Sequence, residues 1–282
     1  MPTTVKGQRV NQAARSGFLS REILPVDVGT AELDELSAAI RERSVFSAHV
    51  LEVDFLTTLR DQIGKLVEGV GEGPGKYTNP VTVRKALKDI LESVGYEAKE
   101  GEVGTLKDLR TYQRLHLIVE TNLRMAQGYA NYRRHTTPEA LAQFPAAEFT
   151  RIYARRVPRG THQAKDGHIV VDNPNYWRDR WLRAGGHLYE GKMIALKGDP
   201  VWVKVSRFKL PYGPPDFNSG YGQLQVKRKE AIRLGLLSPG QKVPPPEPVS
   251  FAPILPEPSA TDSPSFLEAY LHQLRVGSLA GA

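Results

Sequence analysis

The chain changes its hydrophobic rhythm near its midpoint. Up to about residue 145, apolar positions recur every three to four residues, the period of a helix face. Thr30–Ser44 predicts a first helix, with Thr30 as its cap, Glu32 and Asp34 in the first turn, and Leu33, Leu36 and Ile40 on one side. A second helix is expected over Val50–Val67, with Val53, Leu56, Leu59, Ile63 and Leu66 inward. The glycine-rich run Gly69–Gly75 must end it. A third is expected over Val81–Val94, with Asn79 as cap, Pro80 at the first helical position and Gly95 as terminator. The longest periodic segment runs from Leu106 to Tyr132, with Thr105 and Asp108 at capping-box spacing.

Beyond Pro145 the period shortens. Glu148–Val157 partly alternates, and Ile169–Val171 is a short β-branched run. Leu188–Leu196 predicts two strands around a turn, and Val201–Phe208 predicts another strand. Lys227–Leu237 predicts one short helix. Residues 238–265 are rich in proline, which favours an extended linker. A last amphipathic segment, Ser265–Val276, carries Phe266, Tyr270, Leu271 and Leu274 as candidate docking residues. The expected class is therefore α+β. The expected order is a mobile basic arm over 1–29, a helical region over 30–145, and a loop-rich α+β region over 146–237 packed on it. A proline-rich tail with a terminal helix follows over 238–282.

Composition narrows the chemistry. The 282 residues hold no cysteine, which removes disulfides, iron–sulfur clusters and thiol nucleophiles. The first 20 residues are polar and basic, without a signal-peptide core, and no apolar run is long enough for a membrane span. A soluble protein with no membrane partner is expected. The net charge of +7 favours an anionic partner.

Candidate sites concentrate in one stretch, RRVPRGTHQAKDGH, at 155–168. Arg151, Arg155, Arg156, Arg159, Lys165 and Arg178 are candidate contacts to phosphates or to an acidic protein surface. His162, Asp166 and His168 have metal-ligating side chains, but their spacing matches no strong metal motif. Asp166-Gly167 is itself a turn signature, so no metal is assigned. His162 with Arg155 or Arg159 also suggests phosphodiester cleavage. The stretch GEGPGK at 71–76 lacks both the first glycine and the hydroxyl residue of a phosphate loop. Tyr176, Trp177, Trp181, Trp202, Phe208, Tyr212 and Phe217 are read as the core of the loop-rich region, ahead of base stacking.

Three segments in order carry a resemblance. They are VFSAHVLEVDFLTTLRDQIGKLVEGVG, DLRTYQRLHLIVETNLRMAQGYANYRR and EFTRIYARRVPRGTHQAKDGHIVVDNPNYW. Together they resemble the Mu-type, F-like minor head proteins of the phage head-morphogenesis family, over about residues 40–237. The shared features are a helix with Arg114, Leu117, Ile118, Thr121, Asn122, Ala126 and Tyr129, and a loop with His162, Asp166, Gly167 and Trp177. The later stretch MIALKGDPVWVKVSRFKLPYGPPDFNSGYG is similar to the closing segment of these proteins.

The resemblance implies a non-enzymatic virion component, made in the host cytoplasm and built into the phage head near the portal. It implies several copies in an assembly and no cofactor. Portal or major capsid protein would be its partners, with packaged double-stranded DNA as a further one. The alternatives are a phosphodiester-cleaving or toxin-like enzyme and a nucleic-acid-binding protein outside the virion. Two departures from the family pattern stand out. Arg155 occupies the place of an aspartate found in many members, and no Cys-Arg-Cys knuckle follows Pro214-Pro215. A metal site of the relatives therefore does not carry over.

Overall fold

A computed structural model describes residues 19, 21–26, 29, 40, 44–45, 47–69 and 79–246. The chain is α+β, with seven helices and three small sheets among the described residues. The described residues up to Gln127 form one compact unit, and those from Gly128 onward form a second. Most of the expected first helix and the loop over 70–78 lie outside the described residues. So does the tail from residue 247, including Phe266, Tyr270, Leu271 and Leu274.

The first unit opens with β1 (Glu22–Ile23), which pairs in parallel with β2 (Ser44–Val45). Val26 and Val50 then exchange backbone hydrogen bonds at 3.0 Å. Leu24, Val26, Val45 and Val50 are all buried. Residues 21–26, expected at the end of a mobile arm, are thus tied down by backbone pairing and apolar burial. Ser44, expected to end a helix, lies in a strand.

Helix α1 (Val53–Gly69) begins three residues later than its apolar pattern suggests, and Val53 is exposed. Its buried set, Phe55, Leu56, Leu59, Ile63, Leu66 and Val67, forms a stripe at helical spacing. It packs on α2 (Pro80–Ser93), which buries Val83, Leu87 and Leu91. The ends of α2 follow its sequence. Asn79 accepts from Val81 N at 2.9 Å and Thr82 N at 3.0 Å, and Thr82 Oγ1 accepts from Asn79 N. At the other end Gly95 takes a φ of +66°, and Tyr96 N returns to Leu91 O at 2.9 Å.

The long helix is shorter at its start than expected. Helix α3 runs Tyr112–His135, so 106–111 are turns rather than helix, and Tyr112 is exposed. Asp108 does not cap; it organises the turn. Its buried carboxylate accepts from Gly104 N at 3.1 Å, Arg110 N at 3.0 Å and Arg110 Nε at 3.2 Å. Burial alone would raise this carboxyl, but the hydrogen bonds from Arg110 and Gly104 outweigh it and hold the pKa below its ordinary value. Thr111 provides the cap, its Oγ1 accepting from Arg114 N at 3.3 Å.

After α4 (Pro138–Gln143), the second unit is built on an antiparallel sheet in the order β6-β7-β3-β8. Its strands are β6 (Leu188–Tyr189), β7 (Lys192–Leu196), β3 (Ala146–Arg151) and β8 (Tyr221–Val226). Central strand β3 sorts its side chains by the two-residue period of a strand. Ala147 and Phe149 face one cluster, and Ala146 faces another with Ile194, Val226, Ala231 and Leu237. Helices α5 (Tyr176–Arg183) and α6 (Val201–Val205) supply aromatics to the first cluster, and α7 (Arg228–Arg233) supplies Ala231 to the second.

Around Phe149 stand Trp177 at 5.4 Å, Trp181 at 5.5 Å, Trp202 at 6.3 Å and Tyr221 at 5.1 Å between ring centroids. The Trp181 and Trp202 indole N–H groups donate to His187 O and Leu196 O at 2.9 and 2.8 Å. These aromatics form the core, as the sequence suggests. Gly186 permits this packing, because a Cβ there would run into the Trp181 indole.

Two elements differ from the sequence reading. Val201–Phe208, which alternates like a strand, contains helix α6. Asp199 accepts from Val201 N at 2.8 Å and starts the turn, and Val201, Trp202 and Val205 point inward at helical spacing. Tyr176–Arg183, expected only as a source of core aromatics, is helical and places Trp177 and Trp181 one turn apart on its buried face.

Candidate functional site

The 155–168 stretch leads into a separate hairpin, β4 (Thr161–Gln163) paired antiparallel with β5 (Ile169–Val171). Its turn is local chemistry. Ala164 N donates to His168 O and Gly167 N to Ala164 O, both at 2.9 Å, and Gly167 takes a φ of +91° that only glycine adopts freely. The Asp166 carboxylate accepts from His168 N at 3.2 Å and contacts His168 Nδ1 closely. At the feet, Gly160 O accepts from both Asp172 N and Asn173 N at 2.8 Å. A side chain at Gly160 would collide with Asn173 O, so the hairpin closes tightly onto the start of α5.

The histidines do not converge. His162 Nδ1 lies 2.9 Å from both oxygens of Asp172, whereas His168 is held by Asp166. All four side chains are more than half exposed. Among the described residues no three His, Asp or Glu side chains are grouped as metal ligands. A small hollow in this unit is lined by Phe149, Trp202, Leu210, Tyr212 and Gln223, and neither histidine reaches it.

The arginines fall into two groups. Arg159 Nη2 and Arg180 Nη1 donate to the Asp216 carboxylate at 3.1 and 3.0 Å, with Arg207 Nη1 at 3.9 Å. Asp216 is 2% exposed. It also accepts from Phe217 N at 2.8 Å, and Arg159 donates again to Phe217 O at 3.0 Å. Arg180 lies over the Trp177 ring and Arg207 over Phe217. Arg159, expected as a phosphate contact, therefore serves an internal clamp. It joins the foot of the hairpin to the 213–220 loop. Arg155 is half-buried, packed against Gly220.

Arg151, Arg156, Lys165, Arg178 and Arg183 form the second group. All are exposed, and none has an ion-pair partner among the described residues. Arg151 is laid over the Tyr221 ring at 5.2 Å. Charge is segregated on a larger scale too. Residues 128–248 hold 20 of the 38 Lys and Arg but only 10 of the 31 Asp and Glu, a net of +10. The remainder of the chain, with 18 basic and 21 acidic residues, carries −3.

The family-motif residues occupy supporting positions. In α3, the largely buried Arg114 donates from Nη2 to Ala48 O at 2.7 Å and Ser47 Oγ at 3.0 Å, and burial lowers its pKa. Asn122 Nδ2 donates back to Ile118 O at 2.9 Å, and Thr121 is half-buried. Trp177 belongs to the aromatic core. Sequence reasoning missed Asp172, Arg207 and Asp216, and it read Arg180 only as one more arginine of the phosphate-contact cluster. Asp216 alone left a signal, as an acid directly after Pro214-Pro215 and the one acidic residue between Asp199 and Glu230.

A second missed cluster is Lys197, which is 6% exposed and donates to His135 O at 2.8 Å, at the C-terminal end of α3. Burial lowers its pKa to about 8. Burial, with Arg134 and Lys197 nearby, lowers His135 to about 4. Lys197 does not line the small hollow, and the pair reads as a helix-end contact.

No protein-family model matches the chain, and no curated protein or solved structure matches it either. Among the described residues, no helix is long and apolar enough to cross a membrane.

Proposed function

We propose that this chain is a non-enzymatic minor head protein of a tailed phage or prophage, assembling in several copies near the portal against portal or major capsid protein. One observation carries the reading. The residues that bear the resemblance in sequence mostly serve packing and local structure, and those that are exposed do not converge on a pocket. Arg114 ties α3 to the 47–48 turn, Asp166-Gly167 shapes a hairpin, and Trp177 fills the core. Function then lies in surfaces and in assembly.

The nuclease reading has less support. His162 is engaged by Asp172 and Arg159 by Asp216, so the pair proposed for catalysis serves two different contacts. A general base also needs reach to a reacting group in a plausible pose, and His162 lies on an open hairpin rather than in a pocket. Deleting the gene is expected to abolish infectious particles, and supplying His162→Ala in trans is expected to restore them. Normal particle yield from the deletion would contradict the reading. Failure of a folded His162→Ala protein to restore particles would favour the enzyme.

A further inference from the structure

Within the second unit, the β4–β5 hairpin contributes nothing to a core. None of residues 161–172 is buried, and each strand is three residues long. A free two-stranded hairpin of this size is marginal in water. This one is nevertheless fixed at both ends: the Asp216 clamp and Gly160 hold its feet, and the Asp166-Gly167 turn holds its tip. A rigid projection without a core has the form of a binding arm.

Its surroundings are basic. Arg156 precedes one foot, Arg178 follows the other, Lys165 sits at the tip, and Arg151 ends the adjoining strand β3. The acids on the hairpin are already engaged by its histidines, Asp166 by His168 and Asp172 by His162. A two-stranded ribbon, about 5 Å between strands, enters the major groove of B-form DNA, about 12 Å wide, whereas the A-form RNA major groove is too narrow for it.

We infer that the β4–β5 hairpin is a binding arm for duplex DNA, entering the major groove while Arg151, Arg156, Lys165 and Arg178 contact the flanking phosphates. An acidic protein surface would satisfy the charges, but it offers no groove for the ribbon. The inference goes beyond the head-protein reading and is tested apart from it: particle assembly tests that reading, and DNA affinity tests this one.

The experiment uses the full chain in fluorescence anisotropy with a 30-bp DNA duplex, an RNA duplex of the same sequence and polyglutamate as competitor. Four phosphate contacts give a slope of about −3.6 in log affinity against log salt, or about a 150-fold loss between 50 and 200 mM. The variant Arg151→Gln/Arg156→Gln/Lys165→Gln/Arg178→Gln is expected to remove most of the affinity and of that slope. Lys165→Gln alone, at the turn, is expected to reduce the slope by about 0.9 and keeps the test readable if the fourfold variant misfolds. Lys85→Gln/Lys88→Gln, on α2 and paired with Asp89 and Glu92, is expected to change nothing. RNA is expected to bind at least about tenfold more weakly than DNA, the groove contacts being lost. Three results would each overturn the inference: wild-type affinity in a folded fourfold variant, equal affinity for RNA, or displacement of DNA by polyglutamate at equal charge. The last would identify an acidic protein as the occupant.

Discussion

Replacing Asp216 is the sharpest test of the clamp. The carboxylate is 2% exposed, and two guanidinium groups bond it at 3.0–3.1 Å while a third stands at 3.9 Å. Asp216→Asn keeps the shape and an acceptor for Phe217 N–H but removes the negative charge that Arg159, Arg180 and Arg207 share. Breaking a buried ion pair from one side costs about 3–5 kcal/mol, because the remaining charge is left without a counter-ion. Arg159 and Arg207 are each about one-third exposed at the side chain, so the lower end, about 3 kcal/mol, is expected. For a unit of this size that lowers the melting temperature by about 10 °C. All three tryptophans, Trp177, Trp181 and Trp202, lie in this unit, so their fluorescence follows its unfolding. A double-mutant cycle with Arg180→Met isolates the pair, with an expected coupling above about 1 kcal/mol. Melting of Asp216→Asn within about 2 °C of wild type, or a coupling near zero, would refute the clamp.

Two further predictions concern pH. The hydrogen bonds to Asp108 lower its pKa, so its stabilisation is present above the ordinary carboxylate range and is lost as pH falls through the folded value. Asp108→Asn is therefore expected to be less stable at pH 7 but to show a flatter loss of stability below about pH 4, read by urea unfolding across pH. Lys197 titrates near 8 when folded and near 10.5 when unfolded, so between those values only the unfolded chain holds the proton. The stability of wild type relative to Lys197→Met is expected to rise by about 3 kcal/mol from pH 8 to 10.5, and a flat difference would contradict the buried-ammonium reading.

Legibility from sequence tracks how local each determinant is. Helix α2 reads cleanly because its cap, first-turn proline and terminating glycine lie within 17 residues, Asn79 to Gly95. The aromatic core is legible because Trp177, Trp181 and Trp202 have few stable alternatives to burial. Helix α6 is not legible. VWVKV alternates as a strand does, and the outcome depends on Asp199 starting the turn and the Trp202 indole reaching Leu196 O. The start of α3 misleads for a related reason: Asp108 has capping-box spacing, but Gly104 N and Arg110 claim its carboxylate. The sorting of the arginines is beyond sequence altogether. Arg159 and Asp216 are 57 residues apart, and only the folded chain separates clamp arginines from exposed ones.

The proposed role builds this chain into a phage head. Quantitative mass spectrometry of intact particles, purified from cells carrying the gene, addresses it directly. Peptides of this chain are expected at a few copies per particle, far below the major capsid protein. Their absence from particles whose portal protein is readily detected would contradict it.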